Sequence, residues 1–320
     1  MTERIVVTGA DGFVGRALLP YLKARGHEVR GLARRDTPLG ATGIGDLAEF
    51  TDWSRVFARV TVIIHLAARA HVITETEPDP DAEFTRINVD TTRRLALGAR
   101  ACGVRRLVFL SSIGVNGTMT GLEPFREGDP PRPAEAYARS KWAAEQTLLA
   151  VCGDELELVR IRPPLIIGAG AKGNLERLMR WVNSGLPLPF GSIRNSRSFA
   201  VLSDLCALLD LCASERRAAG QLFLAAHPQP LSTPDLIRAM AEGLGRCARL
   251  PAVPLAVLRA LGRVAGSEAL ARLSGSLVVD SRRAREELGW SCSTDLREAV
   301  REMARAYGDA SRSAPAASET

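Results

Sequence analysis

Residues 8–15 read TGADGFVG, directly after the apolar run at residues 4–7 and at the start of an amphipathic stretch over residues 14–25. No other feature constrains the fold of this chain as tightly. Gly9 permits a tight turn, Gly12 removes a side chain where a pyrophosphate must approach the backbone, and Gly15 lets the helix sit close to the strand. The helix N-terminus then offers unpaired N–H groups and the positive end of its dipole to phosphates. A glycine-rich turn with its strand before it and its helix after it reads as the phosphate turn of a dinucleotide site. Its candidate contacts are Gly9, Asp11, Gly12, Phe13 and Val14.

The first half continues this alternation. Residues 28–32, 60–67, 106–110 and 156–161 read as strands, and residues 91–102 and 138–151 as helices. Continuously apolar strands alternating with helices predict an α/β fold, a doubly wound parallel sheet of Rossmann type covered on both faces. Residues 1–165 form that unit. After Pro163-Pro164 the texture changes: Gly and Pro become frequent, and residues 175–183, 202–212, 233–244 and 255–261 read as helices. Residues 166–308 therefore read as a smaller, mainly helical part over the sheet edge, with residues 222–225 returning as a strand. From Asp309 the chain is rich in Ser, Ala and Arg without apolar periodicity and is expected to be disordered.

Composition removes several function classes. At 320 residues, 46% hydrophobic and 24% charged, the chain has the makings of one large or two ordinary domains and is not broadly disordered. The roughly 18 uninterrupted apolar residues of a membrane span are nowhere approached. Arg4 already opens an apolar run, so no leader is expected. The net charge of +6 comes from scattered arginines, with dense runs only at helix ends such as Arg282, Arg283 and Arg285. That pattern argues against nucleic acid and suits a small anionic ligand. Of the six cysteines none has CxxC spacing, and His27, His65, His71 and His227 form no ligand pattern. Neither a metal nor a disulfide framework is expected, and reduced thiols suit the cytoplasm.

The second strand ends in Leu32-Ala-Arg-Arg35. Ala33 stands where an NAD site usually carries a carboxylate for the ribose hydroxyls, and Arg34 and Arg35 suit a 2′-phosphate. NADP(H) is therefore favoured over NAD(H). Asp46, beside Leu47, suits either the adenine amino group or a helix N-cap. The run HLAA places the small residues Ala67 and Ala68 after Leu66, leaving room for a cofactor, and His65 reads as a packed histidine.

Tyr137-Ala-Arg-Ser-Lys141 opens a helix, so its four-residue spacing puts Tyr137 and Lys141 on one face. An ammonium beside a phenol favours the phenolate and makes the tyrosine a proton donor or acceptor at a carbonyl or alcohol. Upstream, a strand runs into Ser111-Ser112, at the sheet edge where such folds bind ligands.

TGADGFVG, HLAA, SSIGVNG (111–117) and YARSK together resemble the extended short-chain dehydrogenase/reductase superfamily, in its nucleotide-sugar epimerase/dehydratase/reductase branch, over residues 4–305. The resemblance implies a Rossmann sheet with a C-terminal substrate domain, a catalytic hydroxyl at Ser112, a general acid/base at Tyr137 and a ribose-binding lysine at Lys141. Ile113 and Gly114 stand where the family's dehydratases carry an Asp-Glu pair, which disfavours dehydration. Asn116 replaces the tyrosine of the family's VYG segment and becomes the substrate-side candidate. Pro164 falls in the family's post-strand loop at the nicotinamide, Asn174 on an asparagine that contacts the nucleotide-sugar diphosphate, and Arg197 and Arg272 on arginines that grip it. The run at 280–290 reads as a packed amphipathic helix. The family also implies a homodimer built through residues 91–102 and 138–151, and a place in polysaccharide biosynthesis.

The leading expectation is an NADPH-dependent reductase acting on the C4 ketone of a UDP-4-keto sugar. A UDP-hexose 4-epimerase with retained NAD would use the same residues. A reductase of a non-sugar ketone would leave Asn174 and Arg197 without a diphosphate, and a dinucleotide-binding regulator would not need the serine, tyrosine and lysine.

Overall fold

A computed structural model describes residues 2–38, 40–70, 79–254, 256–257 and 273–313. Strand β1 (Arg4–Thr8) buries Ile5, Val6 and Val7 completely. The glycine-rich turn leads to α1 (Phe13–Ala24), then β2 (Glu28–Ala33), a short β3 (Ala41–Gly43), α2 (Trp53–Phe57) and β4 (Val62–His65). Next come α3 (Pro80–Thr85), a π-helical turn (Arg86–Asp90), α4 (Thr91–Ala101), β5 (Arg106–Leu110) and a 3-10 turn (Ile113–Val115). They are followed by α5 (Ala136–Cys152), β6 (Glu157–Arg162), β7 (Ile166–Ile167), α6 (Asn174–Asn183), β8 (Ala200–Val201) and α7 (Leu202–Ser214). The chain continues through β9 (Leu222–Leu224), α8 (Thr233–Gly243), α9 (Arg282–Leu288) and α10 (Leu296–Ser313).

Among the described residues seven strands form one parallel sheet in the order β3-β2-β1-β4-β5-β6-β9. The doubly wound α/β sheet expected from the sequence is therefore present. Helices α1, α7 and α9 cover one face, with Leu18, Leu22, Leu205, Leu209 and Trp290 in its core. Helices α2, α4 and α5 cover the other, with Trp53, Phe57, Leu95 and Leu148. This two-sided burial explains why β1, β4 and β5 lack polar alternation. A third cluster, including Leu178, Met179, Met240 and Met303, joins α6, α8 and α10. Beside it the short pair β7–β8 forms its own ladder. Among the described residues no helix is long and apolar enough to cross a membrane.

Two expectations need adjusting. The apolar run at 60–67 is longer than its strand: Val60 N bonds Phe57 O to close α2, and β4 occupies only Val62–His65. The tail expected to be disordered from Asp309 is helical to Ser313, because α10 buries Val300, Met303 and Ala304 and carries the helix past that point. Residues after 313 lie outside the described residues, as does most of the helix expected at 255–261. Residues 222–225 do return as a strand, since β9 pairs with β6.

The turn at 9–15 is as close as its glycines allow. Gly9 has φ +66°, and a Cβ there would stand 2.8 Å from Ala67 N. A Cβ on Gly15 would lie 2.3 Å from Gly9 O and 2.7 Å from Ala10 Cα, both backbone atoms that cannot swing aside. Glycine to alanine within a helix ordinarily stabilises. Here Gly15→Ala is expected to destabilise by about 1–3 kcal/mol through overpacking, and to weaken dinucleotide binding with it. Thermal melts with and without a nicotinamide dinucleotide read both effects.

Candidate active site

The carboxyl ends of β1, β5 and β6 open into one cleft of about 490 Å³, a size suited to a small organic ligand. Phe13 of the glycine-rich turn, Ser112 after β5, Tyr137 of α5 and Pro164 after β6 line it together. Thus four of the residues singled out from the sequence, from four separate segments, share one wall. The Ser112 turn is fixed from below. Its Oγ accepts from Gly114 N at 3.2 Å, and Ile113 N donates to Pro163 O at 2.9 Å.

Tyr137 and Lys141 sit one turn apart on α5. Lys141 is 2% exposed, and its Nζ lies 4.1 Å from the centre of the Phe109 ring. Burial pulls its ammonium down to about 7, partly opposed by the charge of Glu145. The phenol of Tyr137 is pushed up to about 12 by burial. Desolvation thus outweighs the lowering expected from the neighbouring ammonium, and Tyr137 holds its proton at neutral pH.

His65 is a packed histidine. Thr8 Oγ1 accepts from Ala67 N at 3.3 Å and bonds His65 Nδ1 at 2.6 Å. Thr92 Oγ1 donates to Asn88 O at 2.7 Å, so it accepts from His65 Nε2–H at 3.0 Å. Both ring nitrogens are satisfied by the neutral imidazole with Thr8 donating to Nδ1, and burial with the charge of Lys141 drives its pKa to about 3. Asn88 adds a second tie. Its side chain holds Arg69 N and O and donates to Ser140 Oγ, which secures the segment after β4 to the residue before Lys141. Asn88 was not foreseen, because nothing in its spacing distinguishes it.

Asn116 does not take the substrate-side place expected of it. It is 1% exposed; its Oδ1 accepts from Arg162 Nη1 at 2.8 Å and its Nδ2 donates to Arg126 O at 3.2 Å. Both halves of its amide are consumed below the cleft, and Gly117 and Thr118 line the wall instead. Arg162 in turn pairs with the fully buried Glu145 at 2.6 Å.

The expected cofactor residues follow the sheet edge. Gly9 and Gly12 form the turn closed by Gly12 N to Gly9 O, Asp11 O accepts from Arg16 Nε, and Val14 packs into the core. Leu66, Ala67 and Ala68 continue β4 half-buried. Asp46 accepts from Ala48 N at 2.9 Å and lies 3.7 Å from Arg86, while Leu47 packs against the apolar core. Asp46 thus closes a turn, and no helix follows it for the N-cap use to serve. Arg34 and Arg35 are exposed at the end of β2, and the adjacent carboxylate of Asp36 is turned away to Gly43 N at 2.8 Å. The glycine cradle, the small residues after β4 and the buried lysine together fit a nicotinamide dinucleotide across this edge.

At its other end the cleft becomes cationic. Asn174 opens α6 with Gly173 as N-cap, so the first N–H groups of that helix face the region of Arg197. Arg197 Nη1 donates to Gly275 O at 3.1 Å. Lys172 and Arg177 join this wall, and an apolar recess with Trp181 and Phe199 continues from Asn174, Arg177 and Arg197. Lys172, Arg177 and Trp181 were missed, because a single lysine in the loop before α6 and single residues on an amphipathic helix carry no signal of their own. Arg272, the second expected arginine, lies outside the described residues.

The profile of the NAD dependent epimerase/dehydratase family matches residues 5–225. The chain belongs to that family. It is 36% identical over 317 residues to a UDP-glucose 4-epimerase of Vibrio cholerae, covering 96% of each chain. It is 30% identical over 281 residues, 82% of this chain and 80% of the relative, to the 4-hydroxy-2-methyl-3-oxo-4-farnesyl-3,4-dihydroquinoline-1-oxide ketoreductase of Stigmatella aurantiaca. Among solved structures, MoeE5 in complex with UDP-glucose and NAD superposes with TM-score 0.77 at 28% identity, covering 97% of this chain and 99% of that one. The resemblance to the extended short-chain dehydrogenase/reductase superfamily therefore holds, and the chain is an NAD(P)-dependent enzyme of the nucleotide-sugar epimerase/dehydratase family.

The neutral His65 has a consequence for stability. Its folded pKa of about 3 lies below the ordinary 6.5, so the unfolded chain takes up the proton first as pH falls. Stability attributable to this site is complete above pH 6.5 and is lost toward pH 3, by about 1.4 kcal/mol per pH unit. Thermal melts between pH 7 and 4.5 should fall less steeply for His65→Gln than for the native protein.

Proposed function

We propose that this enzyme reduces the C4 ketone of a UDP-linked 4-keto-6-deoxy sugar, using NADPH. The observation that carries this reading is the placement of Tyr137 and Ser112 on one wall of the cleft, together with Arg34 and Arg35 exposed at the end of β2 beside an Asp36 carboxylate that is turned away to Gly43 N. Reduction of a ketone needs a proton donor at the carbonyl oxygen, whereas oxidation of an alcohol needs a base. Tyr137 gives its proton to O4 as charge develops there, and Ser112 Oγ donates a second hydrogen bond to the same oxygen. Lys141 stabilises the phenolate left behind and reaches the ribose. The bound dinucleotide supplies the hydride for the sugar carbon.

Asn174, Arg197, Lys172 and Arg177, together with the N-terminus of α6, hold the diphosphate. Trp181 and the apolar recess accept the uracil ring. Holding the nucleotide at that end orients the sugar against Tyr137 and Ser112. Arg34 and Arg35, exposed and with Asp36 turned away, select the 2′-phosphate of NADPH. Leu97 of α4 and Leu149 of α5 are exposed, which supports pairing of two copies through these helices, and the cytoplasm is the compartment this reading assigns.

A UDP-hexose 4-epimerase is the second reading, favoured by the Vibrio cholerae relative. It needs the same residues, with Tyr137 taking a proton before returning it and the dinucleotide retained throughout.

The two separate cleanly. Purified protein with a UDP-4-keto-6-deoxy-N-acetylhexosamine and excess NADPH should consume the dinucleotide stoichiometrically. Tyr137→Phe should slow this by about 10²–10⁴-fold. Replacing both Arg34 and Arg35 with serine should raise KM for NADPH by about tenfold or more and leave NADH unaffected. Absence of consumption, with NAD released on denaturation and UDP-glucose converted to UDP-galactose, establishes the epimerase instead.

A further inference from the structure

Glu145 follows Lys141 by one turn and Tyr137 by two on the same face of α5, and it is fully buried. Its carboxylate accepts from Ser111 Oγ at 2.5 Å, from Arg162 Nε at 2.9 Å and from Arg162 Nη2 at 2.6 Å, with Arg160 Nη1 at 3.8 Å. Arg162, 2% exposed, uses its remaining Nη1 on Asn116. One carboxylate therefore joins four segments: the helix of Tyr137 and Lys141, the strand end before Ser112, the strand end before Pro163 and Pro164, and the turn of Asn116. All four bound the cleft or lie directly beneath it.

Stability alone does not call for such a pair. An apolar pair of similar volume usually stabilises a core as well as a buried ion pair does. The position of this one points to the chemistry above it.

We propose that Glu145 is a positioning residue, which through Ser111 and Arg162 fixes the Ser112 turn against the Tyr137 helix and provides the counter-charge to Lys141. The surroundings of Lys141 support the second part. From β4 it faces the neutral His65, from β5 the ring of Phe109, and from the π-helical turn Asn88 reaches Ser140. On α5 its charged or titratable neighbours are Tyr137 and Glu145. Arg160 and Arg162 of β6 both pair with Glu145. Glu145 is the one anion in this set, and its charge raises the Lys141 pKa against the pull of burial.

The kinetic part of the test rests on the C4 reduction proposed above; the titration does not. The chain has three lysines, Lys23, Lys141 and Lys172, so lysine-selective NMR can follow the Lys141 Nζ signal through a pH series. In Glu145→Gln, Lys141 should lose its proton about one pH unit or more earlier than in the native protein. The same direction is expected in the double variant Glu145→Leu/Arg162→Met, which removes both buried charges and folds even where Glu145→Gln does not. That double variant should lose about 100-fold in kcat, with KM for the dinucleotide within about twofold. An unmoved Lys141 titration, or native kcat in the double variant, overturns the proposal. A native enzyme that turns over no UDP-4-keto sugar contradicts the reaction, and the Lys141 titration then decides the role of Glu145 by itself.

Discussion

Every wall of the cleft leaves the carboxyl end of a parallel strand or is held against one, so the site depends on the alignment of those ends. That alignment rests on burying β1, β4 and β5 on both faces, between α1, α7 and α9 on one side and α2, α4 and α5 on the other. A parallel sheet with one exposed face would not carry such continuously apolar strands. Once the strands are packed, Thr8, His65, Ser111 and Arg162 occupy adjacent ends by register alone. The polar groups there have no water to turn to, and they bond to one another: Thr8 to His65 to Thr92, and Ser111 to Glu145 to Arg162 to Asn116. The rigid floor of the cleft is made of these bonds.

Above that floor the cleft is divided by charge. Toward the sheet, the candidate acid and its lysine sit where burial controls titration: the Tyr137 phenol is pushed up to about 12 and the Lys141 ammonium down to about 7. Toward α6, Lys172, Arg177 and Arg197 line the cleft. A low-dielectric end suits a developing oxyanion, and a solvated cationic end suits a diphosphate. On the proposed reaction, the tether between the nucleotide and its sugar would span both.

The sequence made the fold and the candidate site residues that line the cleft legible because both are local patterns. TGADGFVG lies on contiguous residues, and the spacing of Tyr137 to Lys141 is one helical turn. The strands of the first half announced themselves by length and apolarity, although β4 proved shorter than its run. Asn116 was misplaced because a side chain that follows a strand end points either into the cleft or beneath it, and which way depends on Arg162, 46 residues further on. Glu145 was passed over for a related reason: on an otherwise ordinary amphipathic helix, only the three-dimensional partners Ser111 and Arg162 reveal it. Lys172 and Arg177 were hidden among many arginines. The helical stretch past Asp309 is polar and exposed, and it is helical because it continues α10, whose burial lies upstream at Val300, Met303 and Ala304.

Isotope tracing tests the account most directly. The protein would be incubated with a UDP-4-keto-6-deoxy-N-acetylhexosamine and NADPH carrying deuterium at the transferable C4 position, and the sugar product read by NMR and mass spectrometry. The account predicts one deuterium at the sugar C4, with UDP still attached and NADP released into solution. A product without deuterium, or with solvent-derived label at a neighbouring carbon and none at C4, would contradict it.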